Sequence, residues 1–393
     1  MIIGIVLARV PGYSETFLWT LIRSIGQNHD KVVLFVDKGS DQKIPPGVPV
    51  YACFESVFGI QCLGWLVVIF RFISSFKMST KYITRNITKG NMTLRKSLKS
   101  YFISNHILGR QIDCLHFGFA TLAVGREDLG IVMGVKTIVS LRGYDVDRYP
   151  LTKKIYPYTR LWSTVNRVHA VSQYLLKKAE STGLNAASKG TVIYPAVEIE
   201  PLKHRTPSAY LVEDCDRLEI LTVGRLHWVK GGLDLIKALS IFKRGHPNFL
   251  LHWIGEGDAR EELSSYILFY GLKDNVILHG RLSHSETLLM MRRSHIYIQY
   301  SIFEGFCNAV LEAQGAGLLC IVSDAGGLPE NIIDNITGFI VPALRPDLLA
   351  SKILYVLGLS RRQLDQIIFF AHKRVKENFN QKDYPSKIYT LYK

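Results

Sequence analysis

The sequence predicts an α/β protein of two doubly wound parallel-sheet domains, and three observations carry that expectation. Short β-branched or apolar runs alternate with longer segments of helical spacing through most of the 393 residues, the pattern of β-α-β units with parallel strands. A chain of this length is too long for one compact core, so two domains are the default. One stretch, Pro195 to Asp216, interrupts the alternation with Pro195, Pro201, Pro207, several charges and no sustained apolar period, the composition of an interdomain linker.

Taken in order, the strands expected before the linker are Ile2 to Leu7, Lys31 to Val36, Thr137 to Ser140, Arg167 to Val171 and Gly190 to Tyr194. After it come Leu218 to Val223, Leu250 to Ile254, Val276 to His279, Ile296 to Tyr300 and Leu319 to Ser323. Each is a short run rich in Val, Ile and Leu, as strands buried on both faces require. Doubly wound sheets bind ligands beyond the carboxyl ends of their strands, which directs the search for function to the strand-to-helix loops and to a cleft shared by the two domains.

Charge divides unequally along the chain. The formal net charge is +15, from 48 Lys and Arg against 33 Asp and Glu. Residues 1–190 hold 25 basic and 11 acidic residues, a net +14, while residues 191–393 hold 23 and 22, a net +1. From Ser56 to Ile112 there is no acidic residue, yet Arg71, Lys77, Lys81, Arg85, Lys89, Arg95, Lys96, Lys99 and Arg110 all fall there. A surplus of this kind speaks of partners rather than of fold.

The apolar start, Met1 to Ala8, lacks a basic leader and reads as a first strand, which predicts a cytoplasmic protein. The apolar run Cys62 to Phe70 is about half the length of a membrane span. The six cysteines form no C-x-x-C pair and have no His at zinc spacing, so neither a disulfide framework nor a structural zinc is expected.

The densest chemistry follows the strand Ile296 to Tyr300, in the run Phe303-Glu304-Gly305-Phe306-Cys307-Asn308-Ala309-Val310-Leu311-Glu312-Ala313. A helix start there offers free backbone N–H groups to a phosphate, and the carboxylates of Glu304 and Glu312 can accept hydrogen bonds from sugar hydroxyls on either side. After Leu218 to Val223 comes Gly224-Arg225-Leu226-His227-Trp228-Val229-Lys230-Gly231-Gly232, whose cations Arg225 and Lys230 flank a turn suited to a diphosphate. Ser323-Asp324-Ala325-Gly326-Gly327-Leu328-Pro329-Glu330 forms a third loop. Gly255-Glu256-Gly257-Asp258 lacks the third glycine of a dinucleotide fingerprint, which argues against a dehydrogenase.

Val223-Gly224-Arg225, Lys230-Gly231, the E-x7-E pair and G-G-L-P-E, in this order, resemble the GT-B glycosyltransferases of glycosyltransferase family 4. The resemblance implies two Rossmann-like domains facing a cleft: residues 1–195 for the acceptor, 196–382 for a nucleotide sugar, and 383–393 crossing back to the first domain. It implies transfer with retention of anomeric configuration and with neither metal nor cofactor. By position it puts Arg225 and Lys230 on the donor diphosphate, Glu304 on hydroxyls of the transferred sugar and Glu312 on the ribose. Gly305, Phe306, Asn308, Ala309 and Val310 would form the loop that supplies backbone N–H groups, and Arg281 would lie by the nucleobase.

In the first half, Pro11-Gly12-Tyr13-Ser14-Glu15-Thr16-Phe17 resembles a segment of the branch that assembles bacterial exopolysaccharide, capsule or O-antigen, and Leu115-His116-Phe117-Gly118 and Ser140-Leu141-Arg142-Gly143-Tyr144-Asp145 have counterparts there. The acceptor side would then include Gly12, Ser14, Glu15, His116, Arg142 and Asp145. Many members carry His where this chain has Arg142. An Arg stays protonated and cannot be a base, so Arg142 is expected to pair with a phosphate or with Asp145, and the departing phosphate oxygen can take the acceptor proton.

Lys77, Lys81, Arg85 and Lys89 recur every four residues, and Trp65, Phe70, Phe72, Ile73 and Phe76 precede them. Cations beside aromatic groups without a full span suit a helix on an anionic membrane surface, which fits a lipid-linked glycan acceptor at the inner face of the cell membrane. No nucleic-acid signature accompanies the patch. Two rivals stand beside this reading: a two-carboxylate glycoside hydrolase or phosphorylase, and a non-enzymatic membrane- or nucleic-acid-binding protein with a degenerate donor site.

Overall fold

The structure, a computed structural model, describes residues 1–12, 15–27, 30–38, 47–53, 61–153, 156–199 and 217–393. Ser14, the start of the acid-free segment, the Trp65 side chain and residues 200–216 of the proline-rich stretch lie outside that description. The chain divides into two compact units, Met1–Tyr194 with Lys382–Lys393, and Pro195–Gln381.

The first unit is built on seven strands, β1 (Ile2–Leu7), β2 (Lys31–Val36), β3 (Val50–Ala52), β4 (Cys114–Phe117), β5 (Lys136–Leu141), β6 (Arg167–Ala170) and β7 (Gly190–Val192). They hydrogen-bond in the order β3-β2-β1-β4-β5-β6-β7, all parallel. The second has β8 (Leu218–Val223), β9 (Phe249–Ile254), β10 (Val276–Gly280), β11 (Ile296–Gln299), β12 (Leu319–Ser323) and β13 (Phe339–Val341). Their order is β10-β9-β8-β11-β12-β13, again all parallel. Two doubly wound sheets of this kind are the fold class that the alternation predicted.

Ile3, Ile5, Leu34, Ile138, Ile220, Leu251, Ile298 and Ile321 are all fully buried, as strands covered on both faces must be. Three strands escape the sequence pattern: β3, β4 and β13. Each is three or four residues long, and sheet pairing rather than local propensity makes them strands. In each sheet the order reverses once, between β1 and β4 and between β8 and β11. In doubly wound sheets ligands bind at such reversals, which singles out the loops leaving those strands.

The helices Gln61–Ser74, Phe76–Thr88 and Leu94–Ser104 hold most of the acid-free segment. Lys77, Lys81 and Lys89 are exposed, but Arg85 is not part of that face. Its Nε donates to the Asp128 carboxylate at 2.8 Å, and Asp128 is 1 % exposed and also receives Arg160. The four-residue repeat therefore breaks at Arg85, because a buried carboxylate supplied from elsewhere in the fold draws it inward. Ile69, Phe70, Ile73 and Phe76 are exposed, whereas Phe72 packs edge-on against Tyr101. Among the described residues no helix is long and apolar enough to cross a membrane.

Candidate functional site

In the second unit the two loops at the sheet's reversal interlock. Gly224 continues from β8 by donating to the Ile254 carbonyl at 2.9 Å, and Ile302, after β11, donates to Val229 at 2.7 Å. Lys230 closes the short 3-10 turn Trp228–Lys230, and helix Gly232–Lys243 begins two residues on. Its Nζ donates to Glu304 Oε2, each side chain being 15 % exposed, and Ser301 Oγ donates to the same oxygen at 3.2 Å. Burial works against the Lys230 charge, but Glu304 outweighs it and holds the ammonium above its ordinary value. Arg225 is exposed and forms no ion pair among the described residues.

Glu304 is fixed from behind as well. Gly327 of the Gly-Gly loop donates its N–H to the Glu304 carbonyl at 2.8 Å, so that loop buttresses the acid. Helix Asn308–Gly315 then starts at Asn308 with no side-chain cap, since Cys307 occupies the cap position without bonding. Burial, reinforced by Glu304, pushes the Cys307 thiol up to about 12, which keeps it neutral. Its N–H is taken by Asn331 Oδ1 at 3.2 Å, while Asn331 Nδ2 donates back to the Cys307 carbonyl at 2.9 Å. The amides open to an anion are thus fewer than the whole run 305–310. Gly305 is buried, and Phe306 is 9 % exposed and packs on Phe379 at 5.8 Å, so Phe306 belongs to the core.

Glu312, 17 % exposed, accepts from His284 Nε2 at 3.0 Å. His284 is the first residue of helix His284–Arg293, which Ser283 and Glu286 cap reciprocally. The hydrogen bond from His284 to Glu312 raises the imidazole's affinity for its proton. Nothing in the sequence singled out His284; the pair exists only because the loops after β10 and β11 converge. A folded pKa above the free value means that the charged pair is intact at lower pH and is lost as pH rises through the raised pKa. If Glu312 holds a donor ribose, the donor KM will rise with pH through that range, and His284→Ala will raise KM at low pH while leaving kcat nearly unchanged. Initial rates across pH test this, and a KM that responds to pH equally in both proteins would refute it.

Arg281 follows β10, exposed and without an ion pair among the described residues. Gly255 and Gly257 serve packing. A Cβ at Gly255 would fall 2.0 Å from the Gly224 carbonyl oxygen, and one at Gly257 the same distance from that of Leu226. These glycines let the β9 loop lie on the β8 loop, a structural account of the partial fingerprint.

In the first unit, Gly12 donates its N–H to Glu15 Oε2 at 2.9 Å. Asp145 is fully buried and accepts from the backbone of Arg142 at 3.0 and 3.1 Å, Gly143 at 2.9 Å and Ala120 at 3.3 Å. Burial raises its pKa against those hydrogen bonds. The expected side-chain pair between Arg142 and Asp145 is absent, because the carboxylate is consumed in shaping the loop. The Arg142 guanidinium instead donates from Nε to the Gly118 carbonyl at 3.0 Å, lies 4.5 Å over the Phe17 ring and leaves Nη2 buried without a partner. Burial lowers its pKa.

His116 is fully buried in a chain of hydrogen bonds. Tyr392 Oη lies 2.7 Å from Nδ1 and Ser140 Oγ 2.9 Å from Nε2; Ser140 in turn lies 2.8 Å from His169 Nδ1, whose Nε2 is 3.0 Å from the Ile193 carbonyl. That carbonyl can only accept, and burial pushes His169 down to about 3 and His116 well below its ordinary value, so both rings are neutral. Every proton's place follows: His169 donates to Ile193, Ser140 to His169, His116 to Ser140 and Tyr392 to His116. His116 ties the C-terminal segment to the sheet and has no free nitrogen for a substrate.

Residues 209–369 match the family model described as glycosyl transferases group 1. The gpi3 subunit of the Schizosaccharomyces pombe phosphatidylinositol N-acetylglucosaminyltransferase is 26 % identical over 71 % of this chain and 63 % of its own length. The amylovoran biosynthesis glycosyltransferase AmsK of Erwinia amylovora is 28 % identical over 68 % of this chain and 66 % of its own length. The chain thus spans less than two thirds of these curated relatives. Anabaena Alr3699/HepE, solved with UDP and glucose, superposes with a TM-score of 0.72 at 18 % identity, over 99 % of this chain and 98 % of that one. The two parallel-sheet units have the GT-B fold, and residues 209–369 are similar to the glycosyl transferases group 1 family.

Proposed function

We propose that the protein is a retaining, metal-independent glycosyltransferase of family 4 that moves a sugar from a nucleoside diphosphate sugar to a lipid-linked glycan acceptor in cell-surface polysaccharide assembly. The observation that carries this reading is the buried Lys230–Glu304 pair beside the uncapped start of helix Asn308–Gly315, within the matched family segment. Without ligand, each charge neutralises the other. An arriving diphosphate takes the place of Glu304 on Lys230, with exposed Arg225 and the Asn308 amide as further donors, and Glu304 is released to accept hydroxyls of the sugar. Glu312, held by His284, takes the ribose, and Arg281 borders the base.

In the reaction the bond from the anomeric carbon to the β-phosphate oxygen breaks and a bond from that carbon to the acceptor oxygen forms. The acceptor's proton passes to the departing phosphate oxygen, so no cofactor is required. On the acceptor side, Arg142 remains an electrostatic group, supported by its unpartnered Nη2; Gly12 and Glu15 shape the loop after β1, and Ser14 belongs to the same segment. The name of AmsK, amylovoran biosynthesis, supports a polysaccharide product. Exposed Lys77, Lys81 and Phe70 support a peripheral position on an anionic membrane at the cytoplasmic face; nucleic acid is not part of the reading.

A hydrolase would need its two carboxylates set across one glycosidic bond, whereas Glu304 and Glu312 are held by different side chains, Lys230 and His284, from different elements. Incubation with a panel of nucleotide sugars and a lipid-diphosphate glycan is the test. Nucleoside diphosphate release that requires the acceptor, and that Glu304→Gln abolishes, is the expected result. Release that proceeds equally with water alone, or full activity in Glu304→Gln, would sink the donor-site reading.

A further inference from the structure

A cavity of about 620 Å³ opens between helix Gln61–Ser74 and the segment 105–110, with Val67, Phe70 and Leu108 as its apolar wall and Arg71 and Arg110 as its charged side. Arg71 Nη1 donates to Asn105 Oδ1 at 2.8 Å, and Arg110 lies 3.9 Å over the Tyr51 ring. Neither guanidinium forms an ion pair among the described residues. Burial disfavours the Arg71 charge, and Arg110 disfavours it further. His106, just behind, is fully buried with both ring nitrogens unpartnered. It is kept neutral by burial and by the same two arginines, together with Arg126. Two like charges share a cavity in which no described carboxylate compensates them, although Arg85, Arg126 and Arg160 in the same unit are all paired with Asp.

We infer that this cavity is a binding site for the phosphoryl head of a membrane lipid. Two guanidiniums present forked donors matched to phosphate oxygens, and an anion there would relieve their mutual repulsion. The apolar wall fits the adjoining part of an acyl or isoprenoid chain. At the rim, Phe70 is 71 % exposed and Ile73 68 %, side chains suited to the headgroup boundary of a bilayer. The site goes beyond the general basic surface, since it requires two cavity-lining arginines that form no ion pair among the described residues. It rests on the proposed function only for the presence of a membrane.

The test uses the full chain and monomeric dihexanoylphosphatidylglycerol, measured by calorimetry, with inorganic phosphate as a second ligand. The lipid is expected to bind and phosphate to bind far more weakly. Arg71→Gln with Arg110→Gln should weaken lipid binding about tenfold or more, as loss of charged hydrogen bonds does. Lys77→Gln with Lys81→Gln, which removes the same charge outside the cavity, should leave it within about twofold of the parent. Val67→Trp, which fills the cavity and keeps both arginines, should also abolish binding and guards against a folding defect in the double Gln variant. Flotation with vesicles of phosphatidylcholine, with and without an equal amount of phosphatidylglycerol, should show weaker anionic-vesicle binding in the Arg71→Gln/Arg110→Gln and Val67→Trp variants than in the parent. Equal losses in the two double variants, undiminished binding in Val67→Trp, phosphate binding as tight as the lipid's, or no binding of the monomeric lipid would each overturn the site. Nucleoside diphosphate binding, read by thermal shift, should be unchanged in all these variants, so failure here and failure of the donor site are separable.

Discussion

Lys230→Ala is expected to cut the rate of sugar transfer by about 10²–10³-fold, the usual cost of removing one fixed donor to a developing negative charge. The loss should appear mainly in kcat, because the interaction gains strength as charge accumulates on the leaving diphosphate. A second effect comes from the same geometry. Lys230 and Glu304 are both largely buried, and removing one leaves the other uncompensated, at a cost on the order of 3 kcal/mol in unfolding free energy. Lys230→Met combined with Glu304→Gln separates the two effects: it should regain most of the stability, measured by urea unfolding, and none of the activity. The ammonium's raised pKa places the loss of the pair's stabilisation above ordinary lysine titration, as pH rises through the folded value. Activity within about tenfold of the parent in Lys230→Ala would remove this residue from the donor site.

Gly231→Ala is expected to destabilise the second unit by about 3 kcal/mol, the size of effect that follows a forced backbone shift. Gly231 has φ +65, and a Cβ there would lie 2.0 Å from the Tyr300 carbonyl oxygen. Since the obstacle is backbone, no rotamer change relieves it. The loop must move, and with it Lys230 and the hydrogen bond from Ile302 to Val229. Gly224→Ala is the internal control. Its Cβ would meet only the flexible Lys230 chain, at 3.5 Å, so a change under about 1 kcal/mol is expected. Comparable urea midpoints for the two variants would contradict this account.

The long strands were legible because burial on both faces leaves a run such as Ile2–Leu7 without a polar residue. Strands β3, β4 and β13 were not, since sheet pairing rather than local propensity makes them strands. In the candidate site, Lys230 and Glu304 stood out because each sits in a glycine-bearing loop directly after a strand. His284, Asn331 and Ser301 did not, because each contributes through a partner that only the fold brings near. His116 shows the reverse case: it falls within a recognisable segment, yet the sheet buries it in a hydrogen-bonded chain that runs from Tyr392 to the Ile193 carbonyl.

What the sequence by itself determined is the doubly wound class, the glycine-bearing loops after its strands and the confinement of excess positive charge to the first half. Those features are local in sequence: apolar runs, glycines after strands, and an acid-free segment from 56 to 112. Tertiary structure alone decided which charges are spent and which remain. Arg85 reaches a buried Asp128 contributed from 43 residues away, whereas Arg71 and Arg110, of the same basic segment, line a cavity and meet no carboxylate among the described residues. Arg142 keeps an open N–H because its neighbouring Asp145 is satisfied by backbone donors. A charge's partner is set by which distant segments the sheets bring together, and no spacing along the chain records that.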